Sequence, residues 1–216
     1  MHIPDGFVNG PVNGMALAIS VGFCGYASRR LKREIDERQI PLIGVTAAFI
    51  FAAQMLNFPI AAGTSGHFLG AAFTSIILGP WAASLVMALV LMIQALGFAD
   101  GGITALGSNI FNMGIVSVLV AYFAYNWLAK LLPPKRGFIM LSAAVAAWLS
   151  VVSGASMVAL ELAVSGTSPI VVVLPAMAGI YSIIGVGEAL ITVAILGTLL
   201  ASRRDLVPQA RRMYQE

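Results

Sequence analysis

The first two residues carry the groups in this chain best suited to binding a metal ion. Met1 supplies an α-amine, and His2 supplies a backbone nitrogen and an imidazole, so two residues offer three nitrogen atoms. These nitrogens close a five-membered and a six-membered chelate ring and favour a planar ligand set, which suits Ni²⁺, Cu²⁺ or low-spin Co²⁺. His67, the only other histidine, is a candidate for a fourth nitrogen. On position alone, chance placement of two histidines is the alternative.

The composition places the chain in a lipid membrane. Of its 216 residues, 59% are hydrophobic and 10% are charged, whereas charged residues make up about 25% of an ordinary soluble domain. Apolar stretches of roughly 17–25 residues, long enough to span a bilayer as helices, recur along the chain. We therefore expect an all-α integral membrane protein that forms a single transmembrane domain over residues 1–216.

The basic residues are clustered, and their positions predict the topology. All twelve Lys and Arg residues lie within the ranges 29–38, 130–136 and 203–212. By the positive-inside rule all three clusters belong in the cytoplasm, together with the tail at 203–216. The connections without a basic residue are predicted outside, at 1–12, 57–68, 98–108 and 165–169. The net charge of +3 thus reflects topology rather than nucleic-acid binding.

Seven transmembrane helices fit between these landmarks, with the N-terminus outside and the C-terminus in the cytoplasm. They are predicted at 12–28, 40–56, 65–78, 81–98, 108–132, 138–164 and 174–202. Gly79-Pro80 is predicted to form the inner turn of a hairpin, because glycine and proline interrupt helices. Pro175 suits the first turn of the last helix. Because the third helix is short, six crossings and one re-entrant segment are the alternative.

Neutral polar residues and both histidines are concentrated at the predicted outer end. This pattern indicates a binding pocket open to the outside, although helix capping alone explains Ser108 and Asn57 individually. Asp5 and Asp100 are predicted to orient an imidazole or an amide, as carboxylates beside metal ligands often do. The residues expected around the three candidate ligands are Asp5, Asn57, Ser65, Asp100, Ser108 and Asn109.

Two acidic residues, Glu161 and Glu188, fall inside predicted helices. A carboxylate within the membrane is a functional candidate by default. Three roles are open for Glu188: proton site, counter-charge, or protonated hydrogen-bond partner. A stand-alone proton-coupled carrier of divalent metal ions, which uses Glu188 and Glu161 as its relay, is therefore an alternative function.

Two further functional classes are less favoured. An intramembrane enzyme would need a nucleophile paired with a base, and the only candidates, Ser65 and His67, are two residues apart, which is poor geometry in a helix. A purely structural scaffold would not need a free N-terminus. Blocking the N-terminus therefore separates a scaffold from a metal-binding protein.

The second predicted helix carries small residues at helical spacing. Ala48 and Ala52 are four residues apart, so they share one face where another helix can approach closely. Internal packing explains such spacing, and so does docking onto a partner membrane protein.

Four segments together resemble a known family. They are residues 1–6 (MHIPDG), 51–59 (FAAQMLNFP), 63–67 (GTSGH) and 98–107 (FADGGITALG). The chain is similar over about its whole length to the CbiM/NikM family. The members of that family are substrate-binding membrane subunits of energy-coupling-factor transporters for cobalt and nickel.

The resemblance implies a ligand set and an assembly. The transported Co²⁺ or Ni²⁺ would be held by the Met1 amine, the amide and imidazole nitrogens of His2, and the His67 imidazole. The subunit would reside in a prokaryotic plasma membrane and would not itself be an enzyme. Its partners would be a transmembrane coupling subunit, two ATPase subunits and a small accessory membrane protein. Ala48 and Ala52 match the small-residue pattern by which such subunits dock.

Overall fold

The computed structural model describes residues 1–56, 58–59 and 65–209 and shows an all-helical protein with one short strand pair. The main helices are α1 (Gly10–Glu34), α2 (Ile40–Gln54), α3 (Ala71–Phe98), α4 (Leu106–Asn109), α5 (Ser117–Leu131), α6 (Arg136–Val164) and α7 (Ile170–Ser202). The strands β1 (Phe58–Pro59) and β2 (Ser65–Gly66) pair antiparallel. The predicted site residue Asn57 lies outside the described residues.

Each predicted helix overlaps an observed one, but three boundaries were wrong. The first helix does not end at residue 28; it continues to Glu34, because lysine and arginine are good helix formers. The third helix does not begin at residue 65, since Ser65 and Gly66 are strand and helix begins at Ala71. Pro175 is not in the first turn of α7, because that helix begins at Ile170.

Helix α3 is two helical segments joined at Gly79, the predicted turn position. Gly79 has φ 76° and ψ 171°, a conformation that interrupts the helix and that glycine adopts without steric cost. The segment before it, 71–78, is about 12 Å long at 1.5 Å per residue, well short of the roughly 30 Å apolar core of a bilayer.

A π-helix joins α4 to α5. It runs over Ile110–Val116, directly after Asn109 at the end of α4. A π-helical turn shifts the register of the side chains that follow it and is often found near functional sites. Asn109 lies directly before the π-helix and Asn112 lies within it, and these two buried amides make separate tertiary contacts.

Within the described part of the chain, four stretches are long and apolar enough to cross a membrane: Ala71–Phe98, Leu106–Leu131, Arg136–Val164 and Ile170–Ser202. Helix α2 is apolar but shorter, at 15 residues. The chain is thus a multi-pass membrane protein.

The connections predicted to lie outside meet at one end of the helices. The N–H of Asn9 donates to the hydroxyl of Ser165 at 3.2 Å. The N–H of Gly102 donates to the carbonyl of Ile3 at 2.9 Å. Segments that are far apart in the sequence therefore form one layer over the helix ends, and the candidate site lies within it.

Helix α1 is held against α4 at one close contact. A methyl group added at Gly107 would lie 2.5 Å from Cβ of Leu17 and 2.7 Å from its backbone nitrogen. The Ser20 hydroxyl donates to the Gly107 carbonyl at 3.2 Å. Only glycine allows this approach, so Gly107 sets the position of α1 beside the π-helix.

We expect Gly107→Ala to lower the stability of the folded protein by about 1–3 kcal/mol, because the added methyl overpacks a contact with backbone atoms. The measurement is the midpoint of thermal unfolding in detergent. Gly25→Ala is the matched control, since an added methyl there has no neighbour within 4 Å. An unchanged midpoint for Gly107→Ala would show that α1 and α4 are not tightly packed.

Candidate metal centre

The N-terminal segment enters the protein and is held by two hydrogen bonds to the side chain of Asn109. The amide oxygen of Asn109 accepts a hydrogen bond from the N–H of Ile3 at 2.8 Å. Its amide nitrogen donates to the carbonyl of Ile3 at 3.1 Å. The side chain of Ile3 is buried with 2% exposure. One side chain thus satisfies both backbone groups of Ile3 and fixes the two residues that precede it.

Two consecutive glycines allow the N-terminal segment to come this close. A methyl group added at Gly102 would lie 2.4 Å from the backbone nitrogen of Asp5. Gly101, at φ +92°, lies against the His2 ring, with 3.3 Å between its added methyl and Cδ2 of His2. These glycines are therefore the reason that the first residues of the segment predicted on the outer side can be buried against the protein.

The Met1 amine faces the imidazole of His67. The amine nitrogen lies 3.4 Å from Nε2 of His67. Nδ1 of the same ring lies 3.1 Å from the carbonyl oxygen of Phe68. Because a carbonyl only accepts, Nδ1 carries the hydrogen and Nε2 keeps its lone pair. Nε2 is therefore available to a metal ion next to the amine.

His2 lies beside these two groups and between two oxygens. Its ring stacks on the His67 ring with 4.8 Å between the centroids. Nδ1 of His2 lies 3.4 Å from Oδ1 of Asp100, and Nε2 lies 3.2 Å from the amide oxygen of Gln94. The structure thus brings Met1, His2, His67 and Asp100 together.

Burial keeps the basic nitrogens of this cluster neutral. Desolvation lowers the pKa of the Met1 amine to about 5, against a partial opposing effect of the Asp100 carboxylate. Desolvation also lowers the pKa of His2 to about 4. The pKa of His67 falls well below its ordinary value, first through burial and then through the neighbouring amine. At neutral pH all three groups are therefore uncharged, and each has one nitrogen with a free lone pair.

An open cleft leads to the cluster. It has a volume of about 710 Å³ and is lined by Met1, His2, His67, Asp100 and Tyr181, among others. A hydrated cation has room to approach the nitrogen atoms through this cleft.

The other predicted site residues have different positions. Asp5 is exposed and its Oδ1 accepts from the N–H and the hydroxyl of Thr104, at 2.7 and 2.6 Å, so it fastens the N-terminal segment rather than orienting a histidine. Ser108 is buried, and its N–H donates to the side chain of Asn13, which links α4 to α1. Ser65 lies in β2, and its side chain is not among those described.

Gln54 and Gln94 are among the polar residues predicted at the outer end, but neither was predicted individually as a site residue. Both are fully buried, and the amide nitrogen of Gln94 donates to the amide oxygen of Gln54 at 3.0 Å. The available signal was a primary amide in an apolar helix, because such a group needs hydrogen-bond partners inside the protein.

The two intramembrane acids are also engaged. Both oxygens of Glu188 accept backbone N–H groups, from Leu69 at 2.8 Å and from Gly70 at 2.7 Å. Oε2 of Glu161 accepts from the amide nitrogen of Asn112 at 2.7 Å. Glu188 thus contacts the segment that carries His67, whereas Glu161 ties α6 to the π-helix.

The sequence matches a described family over nearly its full length. Residues 2–206 match the family described as "CbiM: Cobalt uptake substrate-specific transmembrane region".

Individual relatives are metal transport proteins. The chain is 40% identical, over 97% of its length and 68% of the relative, to an Archaeoglobus fulgidus protein provisionally named as the fused nickel transport protein NikMN. It is 33% identical, over 98% of its length and 65% of the relative, to the fused nickel transport protein NikMN of Rhodobacter capsulatus. The chain thus spans about two thirds of each fused relative.

The fold is also similar to that of a solved structure described as a crystal structure of a transition metal transporter. The similarity has a TM-score of 0.85 at 31% sequence identity, and it covers 100% of this chain and 99% of the other.

We expect acid to loosen the N-terminal segment. The Met1 amine has a pKa of about 5 when buried and an ordinary value of 8.0 when the segment opens. The open form therefore binds more protons below pH 8, and the free energy of opening should fall by on the order of 1 kcal/mol per pH unit between pH 8 and 5. Hydrogen exchange of the amides of His2, Ile3 and Asp5, corrected for intrinsic rates, measures this, with amides of α5 as the control. An opening free energy independent of pH would mean that the buried amine is charged.

Proposed function

The chain belongs to the CbiM family of cobalt uptake transmembrane proteins, and we propose that it captures Ni²⁺ or Co²⁺ with the nitrogens of Met1, His2 and His67. It is then the substrate-binding subunit of an ATP-driven energy-coupling-factor importer in a prokaryotic plasma membrane. The observation that best supports this metal site is the approach of the Met1 amine to Nε2 of His67, at 3.4 Å. The His2 ring stacks on the His67 ring beside them.

The nitrogen atoms lie close to the spacing that a planar site requires. Two nitrogens at adjacent corners of such a site are about 2.8 Å apart when each is about 2.0 Å from the metal. The amine and Nε2 of His67 are 3.4 Å apart, so a small inward shift brings both onto one ion. The amide nitrogen and Nδ1 of His2 complete the set, because only Nδ1 closes a six-membered ring with its own backbone.

Asp100 balances the charge of the proposed complex. A divalent ion held by one deprotonated amide and three neutral nitrogens has a net charge of +1. The Asp100 carboxylate lies 3.4 Å from Nδ1 of His2 and supplies one negative charge. A buried ion is costly unless it is paired, so this carboxylate lowers the cost of desolvating the metal.

Few protons need to leave when the ion binds. The lowered pKa values of Met1, His2 and His67 leave these groups neutral at pH 7, so the amide proton of His2 is the main one that the metal displaces. Copper would bind more tightly than nickel or cobalt to such nitrogens, so selectivity depends partly on supply in the cell.

The proposed topology has seven crossings, with the N-terminus outside and the tail at 203–216 in the cytoplasm. The first segment of α3, residues 71–78, is too short to span the membrane without the residues that precede it. Residues 65–70 precede it and reach up to about 20 Å when extended. Together with the roughly 12 Å of helix 71–78, they match the apolar thickness of a bilayer.

The exposed face of α2 carries small residues that suit docking of a partner subunit. Ala48 and Ala52 are exposed, whereas Thr46, Ile50 and Gln54 form the buried face of the same helix. The small residues therefore do not serve packing within the described part of this chain. We propose that they receive the transmembrane coupling subunit, which works with two ATPase subunits and a small accessory membrane protein.

We expect one extra residue before Met1 to abolish measurable binding of Ni²⁺ and Co²⁺. The extension converts the amine into an amide and adds bulk where Met1 is 8% exposed. Isothermal titration calorimetry of the purified protein measures the affinity. A protein extended by one residue at its C-terminus is the matched control. Unchanged affinity in the N-terminally extended protein would exclude the chelate.

His67→Ala is a second arm of that test. It removes one proposed ligand, so affinity should fall by more than the 10–100-fold that loss of a residue beside a ligand costs. The helical circular dichroism signal should stay the same. Full affinity after this substitution would mean that His67 does not hold the ion.

We expect the double variant Ala48→Leu with Ala52→Leu to stop uptake of Ni²⁺ or Co²⁺ by cells that carry the complete transporter. Larger side chains prevent close helix contact, while the purified subunit should bind metal with wild-type affinity. Ala176→Leu, at another exposed alanine, is the matched control on α7. Normal uptake by the double variant would show that the partner docks elsewhere.

A further inference from the structure

We propose that a directed chain of hydrogen bonds from Leu69 through Gln54 and Gln94 holds His2 with its hydrogen on Nε2, so that Nδ1 is free to bind the ion. Gln54 and Gln94 are thus positioning residues. The inference rests on the proposed function for its purpose, since only a chelating His2 needs a bare Nδ1.

The hydrogen-bond chain begins at a backbone segment whose orientation is fixed. Leu69 and Gly70 donate their N–H groups to the two oxygens of Glu188, at 2.8 and 2.7 Å. Glu188 is 2% exposed and lies on α7. With its N–H held there, Leu69 directs its carbonyl at Gln54.

Each link then dictates the orientation of the next. The Leu69 carbonyl only accepts, so Gln54 presents its amide nitrogen to it, at 2.7 Å. The oxygen of Gln54 consequently accepts from the nitrogen of Gln94, at 3.0 Å. The oxygen of Gln94 is left for Nε2 of His2, at 3.2 Å, and this nitrogen must donate. Reversing either amide would place two donors or two acceptors against each other.

The contact between Asp100 and His2 competes with this hydrogen-bond chain and makes it necessary. Oδ1 of Asp100 lies 3.4 Å from Nδ1 of His2 and would accept a hydrogen from it. If the Gln94 acceptor were absent, Asp100 would draw the hydrogen of a neutral ring onto Nδ1. That tautomer blocks the nitrogen that closes a chelate ring with the His2 amide. The amide chain thus keeps Asp100 as a charge partner without letting it occupy the metal-binding nitrogen.

The direct test is the tautomer of His2 in the metal-free protein at pH 7. Protonated and bare ring nitrogens differ widely in ¹⁵N chemical shift, so ¹⁵N-histidine NMR reports which nitrogen carries the hydrogen. The His67 signals are assigned with His67→Gln. We expect Nε2–H for His2 in the wild-type protein and Nδ1–H in Gln94→Met, which keeps the side-chain length but has no acceptor.

Two substitutions at Gln54 keep the test decisive if Gln94→Met folds poorly. In Gln54→Glu, the neutral carboxylic acid donates its O–H to the Leu69 carbonyl and its other oxygen still accepts from Gln94, so the His2 tautomer should not change. In Gln54→Met that acceptor is lost, Gln94 is free to turn, and both tautomers should appear. Ser84→Ala is the packing control, since it removes from the same helix as Gln94 a buried hydroxyl that has no hydrogen-bond partner among the described residues.

Metal affinity provides the second readout. We expect Gln94→Met to weaken Ni²⁺ binding by about 10–100-fold and Ser84→Ala to leave it near the wild-type value. A general loss of packing in this helix would weaken binding in both variants.

The outcomes distinguish this inference from the function it serves. A tautomer change in Gln94→Met and Gln54→Met, but not in Gln54→Glu, supports the inference. If that change occurs in a protein whose wild-type form binds no metal, the hydrogen-bond chain stands and the proposed function fails. An Nδ1–H tautomer in the wild-type protein, or an unchanged tautomer in Gln94→Met, overturns the inference.

Discussion

The extended segment at residues 67–70 must have its backbone polar groups satisfied inside the protein, and much of the site depends on this constraint. A helix would satisfy those groups within itself, but an extended segment among helices has no water to replace the missing bonds. Glu188 accepts the N–H groups of Leu69 and Gly70, and Gln54 donates to the carbonyl of Leu69. Side chains from α7 and α2 therefore determine where the His67 imidazole lies.

The N-terminal segment meets the same requirement from the other side. Asn109 satisfies both backbone groups of Ile3, and Gly101 and Gly102 leave space for the segment to pass. Burial has a chemical consequence, because desolvation disfavours charge on an amine or an imidazole. The same packing that positions the nitrogens of the cluster also removes the protons that would compete with a metal ion.

The intramembrane acids illustrate how far residue type alone can be interpreted. From sequence, Glu188 suited a proton site, a counter-charge or a hydrogen-bond partner equally well. Its two backbone donors, Leu69 and Gly70, show an acceptor that holds an extended segment in place. Glu161 has a side-chain donor, Asn112, and joins two helices. Each acid thus has a hydrogen-bond partner that ties two elements together, which accounts for its position without a proton relay.

The sequence by itself determined the class of protein, the asymmetry of charge and the nitrogen donors, because composition, charge and residue type are local properties. Helix positions were also largely predictable from apolar runs and their Gly and Pro interruptions. Only the tertiary structure decided that residues 67–70 are extended, that Asp5 binds Thr104, and that Gln54 and Gln94 extend the site. These features depend on contacts between distant positions, such as Leu69 and Glu188, which are 119 residues apart. No local pattern specifies which buried amide meets which carbonyl, since that choice follows from how the helices pack.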